Sequence, residues 1–335
     1  IEEAFTRASQ HSHHKIQRTL AGKTIRFKIA GTNLVPVLQN ALAHLQVNPQ
    51  APADLEIMAW DQNETGVPMP EAPGEWPEKD QPCRIVLPAG AEAYRFHSSP
   101  EREAIVIYHL ASQKAVMWTQ DARILPTYWH GSPLLSIFHW WCQSTGLHLL
   151  HGGCVGTEKG GIILGGKGGS GKSTTSLLCL MAGMRYVSDD YCVLESVVEP
   201  RAHSIYNTGK LHQKHLEQFP QLVSQAVDPT PDRYEKKVIF THQHYPQQHI
   251  SSLLIRAVVL PRIVGGESSK LVPISAAQAL FGLAPSTMFQ MPDSKANQMR
   301  AMGDLVRKVP CFRLELGTDY QSIPATIKTY LDTLN

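Results

Sequence analysis

No two of the six cysteines form a C-x-x-C pair. Cys83, Cys142, Cys154, Cys179, Cys192 and Cys311 are scattered, mostly in apolar runs, which argues against a disulfide framework and predicts reduced core thiols. Uninterrupted apolar stretches are missing as well. The most apolar region, residues 134–150, is broken by His139, Gln143 and His148, so a membrane span is not expected. Charge of one sign is lacking: 31 Lys and Arg against 29 Asp and Glu leave a formal +2 at pH 7. That balance gives no general attraction to nucleic acid or to anionic lipid. No signal peptide is visible, although the numbering opens at Ile1 rather than Met, and with the unpaired cysteines this predicts a cytoplasmic protein. His11, His13 and His14 have no accompanying Cys or carboxylate arrangement, so residues 1–20 read as a polar, partly helical arm and not as a metal site.

Of the 335 residues, 42% are hydrophobic, enough for a sizeable core in two domains or one large one. TIRFKIA, within residues 23–30, alternates like a strand, residues 35–45 read as a helix, and residues 55–60 as a second strand. Residues 61–82, dense in Pro, Glu and Gly, read as a loop or flexible insertion. Strand patterns return at 83–87, 91–97, 104–110 and 115–119. The expectation is an α+β N-terminal domain over residues 1–130, without a catalytic constellation, that recognises a substrate or partner or holds an oligomer together. Residues 133–146 should form a helix with Leu134, Leu135, Phe138, Trp141 and Cys142 mostly on one face. Trp140 and Trp141 could form a base-stacking platform, but helical spacing beside aliphatics favours core.

Residues 161–195, GIILGGKGGSGKSTTSLLCLMAGMRYVSDDYCVLE, read as strand, loop, helix and second strand. Ile162, Ile163 and Leu164 are a short apolar run that stops at glycines. Gly166, Lys167, Gly168, Gly169, Ser170, Gly171, Lys172 and Ser173 then fit G-x-x-x-x-G-K-[ST], whose backbone N–H groups hold polyphosphate at a helix N-terminus. Lys172 would reach the β- and γ-phosphates of ATP and the Ser173 hydroxyl would ligate Mg²⁺. Thr174 opens an apolar run closed by Gly183, the context the motif requires. Against this stands a merely Gly-rich turn. The paired Asp189 and Asp190 are expected near the middle of a central strand, where unpaired carboxylates would be costly to bury. One would hold the metal and the other would accept a hydroxyl proton. The alternative is a solvated Asp-Asp turn at a strand end.

His151-Gly152, a strand, the loop and Asp189-Asp190, in that order and spacing, resemble the catalytic half of HPr kinase/phosphorylase over residues 148–195. The resemblance implies an α/β fold with a phosphoenolpyruvate carboxykinase-like P-loop kinase core over residues 131–335. It also implies an active-site role for His151 near the phosphates, a general base in Asp190, and a metal site at Ser173 and Asp189. The alternative for His151 is a satisfied core histidine. PLLSIFHWWCQSTGLHLLHGG and LAPSTMFQMP are similar to segments of the kinase-like proteins of peptide, including lasso-peptide, biosynthetic clusters. The family's further active-site Arg has only Arg256 and Arg262 as candidates here, and no convincing counterpart of its metal-binding Glu follows Glu195, so HPr itself is not the expected substrate. Lys167 also fits K-G-G-x-G-K-[ST], the deviant loop of the MinD and ParA ATPases. That loop normally opens its domain near the chain start, and the family's Asp-Pro and switch segment are absent here.

Downstream, Lys210, His212, Lys214 and His215 form a basic segment at a helix start, either a clamp for phosphate or acidic peptide or a solvated face. Residues 228–237 read as a loop able to close over substrate. Strands are expected at 238–241, 253–264, 271–273 and 311–316, and helices at 275–283, 295–308 and 323–334. LAPSTMFQMP reads as a Pro-bounded apolar loop near which an adenine could pack. The functional expectation is a cytoplasmic ATP- and Mg²⁺-dependent serine-type kinase acting on a hydroxyl of a peptide or small protein, in a peptide natural-product pathway. The alternatives are a MinD/ParA-type switch, a small-molecule alcohol kinase, or a degenerate kinase fold that binds peptide without chemistry. Homo-oligomer formation is compatible with this, and neither nucleic acid nor membrane is an expected partner.

Overall fold

A computed structural model describes residues 2–10, 12–70, 93–99, 103–196, 198–228, 236–290 and 295–334. The described chain is mixed α/β and separates into two compact units, one within Ile1–Thr145 and the other within Gly146–Val227 and Glu235–Asn335. The expected boundary at 130/131 and this one at Thr145/Gly146 differ by the helix Leu135–Ser144, which goes with the first unit. No described helix is long and apolar enough to cross a membrane.

The first unit is built on a six-stranded mixed sheet in the order β1 (His13–Leu20), β2 (Lys23–Ala30), β3 (Leu55–Asp61), β6 (Lys114–Thr119), β5 (Ala104–His109), β4 (Tyr94–Ser98). The N-terminal arm is therefore half strand. After the helix Glu2–Ala8, β1 pairs antiparallel with all of β2, because Ile16, Arg18 and Leu20 alternate with polar residues at the period of a half-buried strand. The helix expected at 35–45 is shorter, Leu34–Gln39 followed by a 3₁₀ turn at Asn40–Leu42. Phe5, Trp60, Ile105 and Trp118 form the core. Trp140 and Trp141 are fully buried, so they are packing residues. The strand expected at 83–87, Cys83 and much of the 61–82 loop lie outside the described residues. The other five cysteines are free and buried.

In the second unit nine strands form one sheet. Seven run in the order β10 (Arg185–Ser188), β8 (Gly153–Thr157), β9 (Gly160–Leu164), β16 (Ser252–Ile263), β12 (Arg201–Ser204), β11 (Tyr191–Glu195), β7 (His148–His151). β18 (Cys311–Leu316) pairs with β16, and β17 (Lys270–Pro273) with β18. Successive side chains leave opposite faces of a strand. Ile162, Leu164, Ala257 and Val259 pack with the helices Lys172–Met181 and Ser322–Asp332, whereas Ile163 and Val258 pack with the helices Ala276–Gln290 and Lys295–Lys308. A separate three-stranded sheet, β13 (Thr208–His212), β15 (Lys236–Phe240) and β14 (Ala226–Val227), completes the unit.

Three expectations are corrected here. The Asp pair is not in mid-strand but in the break between β10 and β11, which pair with different partners. A continuous ladder would set both carboxylates among apolar neighbours, and in the break Asp189, though still buried, meets the Lys210 N–H while Asp190 meets His151 and Lys210. LAPSTMFQ is not a loop, since the helix Ala276–Gln290 runs through Pro285. Pro costs that helix one hydrogen bond, and Leu283 and Ala284, buried against the sheet, hold it. Lys210 lies on a strand and not at a helix start, because Thr208–His212 pairs residue for residue with β15.

Half-buried His249 adds a pH dependence to this unit. Its ring lies 5.0 Å from that of Tyr186, and its Nε2 meets Thr241 Oγ1 at 3.0 Å. Burial, and after it the neighbouring His242, push its pKa from 6.5 down to about 3. The folded protein thus resists a proton that the unfolded chain accepts, so stability is complete above pH 6.5 and is lost as pH falls towards 3. Denaturant unfolding at about pH 7.5 and about pH 5 should differ by up to about 1.4 kcal/mol per pH unit below the unfolded pKa. His249→Gln should flatten that slope. An unchanged slope in the variant would remove His249 as its source.

Candidate active site

The loop follows β9 directly. β9 is held on one side by β8 and on the other, in parallel, by β16, and Gly165 N–H still donates to Val259 O at 3.0 Å. The chain then turns through Gly166 (φ 133°), Gly169 (φ 77°) and Gly171 (φ 102°) into the helix Lys172–Met181. Gly171 is required twice over: its φ is left-handed, and a Cβ there would meet Leu316 Cδ1 at 2.4 Å. The N-cap Gly171 offers no side-chain cap, which leaves the first helical N–H groups open to an external acceptor, as an anion site needs. Lys167, Gly168 and Gly169 are exposed at the rim. The Lys172 ammonium is buried and donates to Gly166 O at 2.6 Å and Lys167 O at 3.3 Å. Burial lowers its pKa, while Asp190 and then Asp189 oppose the shift.

That opposition places both acids in the field of the loop lysine. Asp189 is 1% exposed. Burial, and after it the Asp190 charge, raise its pKa to about 6, against the Lys210 N–H, the Ser173 hydroxyl and Lys172. Its Oδ2 accepts from Lys210 N at 3.1 Å, and its Oδ1 is buried without a partner. Burial also works against an ionised Asp190, but Lys210 and His151 outweigh it and hold this carboxyl well below the usual range. Asp190 Oδ1 accepts from His151 Nε2 at 2.8 Å and Oδ2 from Lys210 Nζ at 2.8 Å. The His151 ring lies 5.1 Å from Tyr191, and its main-chain N–H donates to Thr287 Oγ1 at 3.2 Å. Gln290, a turn further on, accepts from the Tyr191 hydroxyl.

Of the residues singled out in the sequence, the loop, Lys172, Ser173, Asp189, Asp190 and His151 come together. Thr174 sits in the first helical turn, half-buried. The two arginines separate. β9 and β16 run parallel from Ile255↔Gly161 to Val259↔Leu164, so Arg256 lies at the end of β9 away from the loop, donating to Lys159 O at 3.0 Å. Arg262 is past Val259, at the loop end of the sheet, and exposed. Tyr191, Thr287 and Gln290 were not legible as site residues, whereas Lys210 was singled out in the basic segment read as either a phosphate or acidic-peptide clamp or a solvated face. The basic segment around Lys210 was a signal. Nothing in the spacing of Thr287, 136 residues after His151, was.

The donor set suits a divalent ion with nucleotide. The Asp189 carboxyl, with one buried oxygen without a partner, and the Ser173 hydroxyl that reaches it offer hard-oxygen chemistry of the kind Mg²⁺ prefers. Among the described residues, no group of three His, Cys, Asp or Glu could hold a metal by itself, which fits an ion completed by phosphate oxygens and water.

No family model matches this chain, and no curated protein does. Among solved structures, it is similar to the Hpr(Ser) kinase/phosphatase from Coxiella burnetii at 12% identity. The aligned part covers 56% of this chain and 89% of that one, with a TM-score of 0.31. At that score the similarity assigns neither a family nor a chemistry to this chain.

Proposed function

We propose that the protein is an ATP-dependent phosphotransferase that moves the γ-phosphate to a hydroxyl group. The observation that carries this reading is the adjacent acid pair after the loop helix, with Asp190 held at 2.8 Å by His151 Nε2 and at 2.8 Å by Lys210 Nζ and Asp189 held by Lys210 N at 3.1 Å. The loop N–H groups and Lys172 would bind the polyphosphate. Ser173 and Asp189 would hold Mg²⁺, which when bound neutralises charge between the β- and γ-oxygens. Asp190 stays ionised between His151 and Lys210, and each of its oxygens keeps a second lone pair. It would orient the acceptor hydroxyl and take its proton, a modest demand in a reaction dominated by positioning. His151 fixes Asp190 from the end of β7.

The acceptor in this proposal is serine or a similar alcohol on a peptide or small protein of a peptide natural-product pathway, a choice that rests on the sequence resemblance. The test is mass spectrometry of peptides encoded beside the gene, after incubation with the protein and Mg-ATP. A phosphorylated hydroxyl supports the kinase reading. ATP hydrolysed with no phosphorylated peptide or small alcohol overturns it in favour of an ATPase switch.

A further inference from the structure

We infer that Lys210 is a positioning residue that sets both acids at once, an inference that rests on the phosphotransfer reading above. Its main-chain N–H holds Asp189 Oδ2 and its ammonium holds Asp190 Oδ2. One residue therefore fixes the spacing of the two carboxylates, which no pair of independent contacts would do. Lys210 sits at the centre of β13, opposite Val238, in a ladder that runs from Thr208↔Phe240 to His212↔Lys236, so its main chain is rigid. Its side chain is only 12% exposed and lies with its ammonium 5.7 Å from the Tyr191 ring centroid.

The residue before it sets how close β13 stands to the phosphate loop. A Cβ on Gly209 would meet Leu177 Cδ2 at 2.7 Å. Leu177 belongs to the helix that starts at Lys172 and is itself buried in the core, so it cannot swing aside cheaply. Glycine thus lets the small sheet press against the loop helix and brings Lys210 within reach of both acids. The same face of the sheet carries His212 and, across the ladder from it, Lys236. Lys236 is close enough to act on the Lys172 ammonium. A surface ion pair would contribute little to either stability or rate. A cation held against the mostly buried Asp190 carboxylate cannot be removed without leaving that charge short of a partner, whereas the main-chain bond to Asp189 survives any substitution at 210.

The experiment compares Lys210→Met, Lys210→Arg and Gly209→Ala with the wild type. The readouts are Mg-ATP turnover, with water as acceptor where no other is known, binding of ADP without metal, and thermal melting. Lys210→Met should lower kcat by about 100-fold or more with ADP affinity within about threefold. Lys210→Arg should recover at least about tenfold of that loss, and Gly209→Ala should lower kcat with all charges in place. A structural lysine would move melting but not produce this split. Lys210→Met should also melt lower than the wild type, and adding Asp190→Asn should recover part of the loss, since a neutral amide needs no cation. A folded Lys210→Met protein with wild-type kcat overturns the inference and leaves the kinase reading standing. A wild type without turnover, but with coupled melting of Lys210 and Asp190, overturns the kinase reading and leaves the contact standing.

Discussion

Lys172→Ala should abolish ATP-dependent phosphate transfer, lowering turnover by about a thousand-fold or more, and should weaken nucleotide binding as well. The ammonium is the only side-chain cation of the loop that points inward, since Lys167 is exposed at the rim. It is buried with two loop carbonyls as partners, and both acids lie within its field. Alanine removes the charge that meets the β- and γ-phosphates and leaves Asp189 and Asp190 with one cation fewer. Lys172→Met is the control for volume. It keeps the apolar stem, so a protein that melts near the wild type yet neither binds ATP tightly nor transfers phosphate isolates the charge as the cause. Isothermal titration with ATP and a phosphate-transfer assay on both variants decide the matter. Transfer within tenfold of the wild type in a folded Lys172→Met protein would mean that the loop does not hold the reacting phosphates.

How much of this site the sequence declared depends on whether its parts are local. Strand, glycine turn and helix are set within one stretch of chain by period, φ requirements and capping, and residues 160–181 follow that reading closely. The adjacent acids were visible too, because two charges inside an apolar run conflict with local preference. Their exact setting was not. The break between β10 and β11 arises from pairing with β8 on one side and β12 and β7 on the other, contacts that no local pattern encodes. Lys210 shows the same limit. A basic run suggested a helix start, and a helix does begin at Gln213 with Lys214 and His215 in it, but pairing with β15, more than twenty residues away, put Lys210 on a strand with its ammonium on Asp190. The helix through Pro285 was obscured because proline is a breaker in isolation. The packing of Leu283 and Ala284 against the sheet overrode that preference and delivered Thr287 to His151. Arg256 failed as a candidate for a topological reason: being on the right strand says nothing about which end of it faces the loop.

Asp190→Asn should lower kcat for phosphate transfer by about 10²- to 10⁴-fold while leaving ADP affinity within about threefold. The amide is nearly isosteric, and its oxygen can still accept from His151 or Lys210, so the fold should be kept. It can no longer take a proton from an acceptor hydroxyl, nor present an anion to orient one. Asp189→Asn should behave differently. Asp189 has a buried oxygen without a partner and lies within reach of the Ser173 hydroxyl, so this change should weaken the metal-dependent part of nucleotide binding and leave metal-free ADP binding intact. The two substitutions therefore separate the two acids by readout: kcat at constant affinity for Asp190, and metal dependence of affinity for Asp189. The reverse pattern, with Asp190→Asn losing metal-dependent binding and Asp189→Asn losing only kcat, would exchange their roles. Near-normal transfer by Asp190→Asn, with turnover still dependent on Lys172, would leave the loop in place and remove the acid pair from the chemistry.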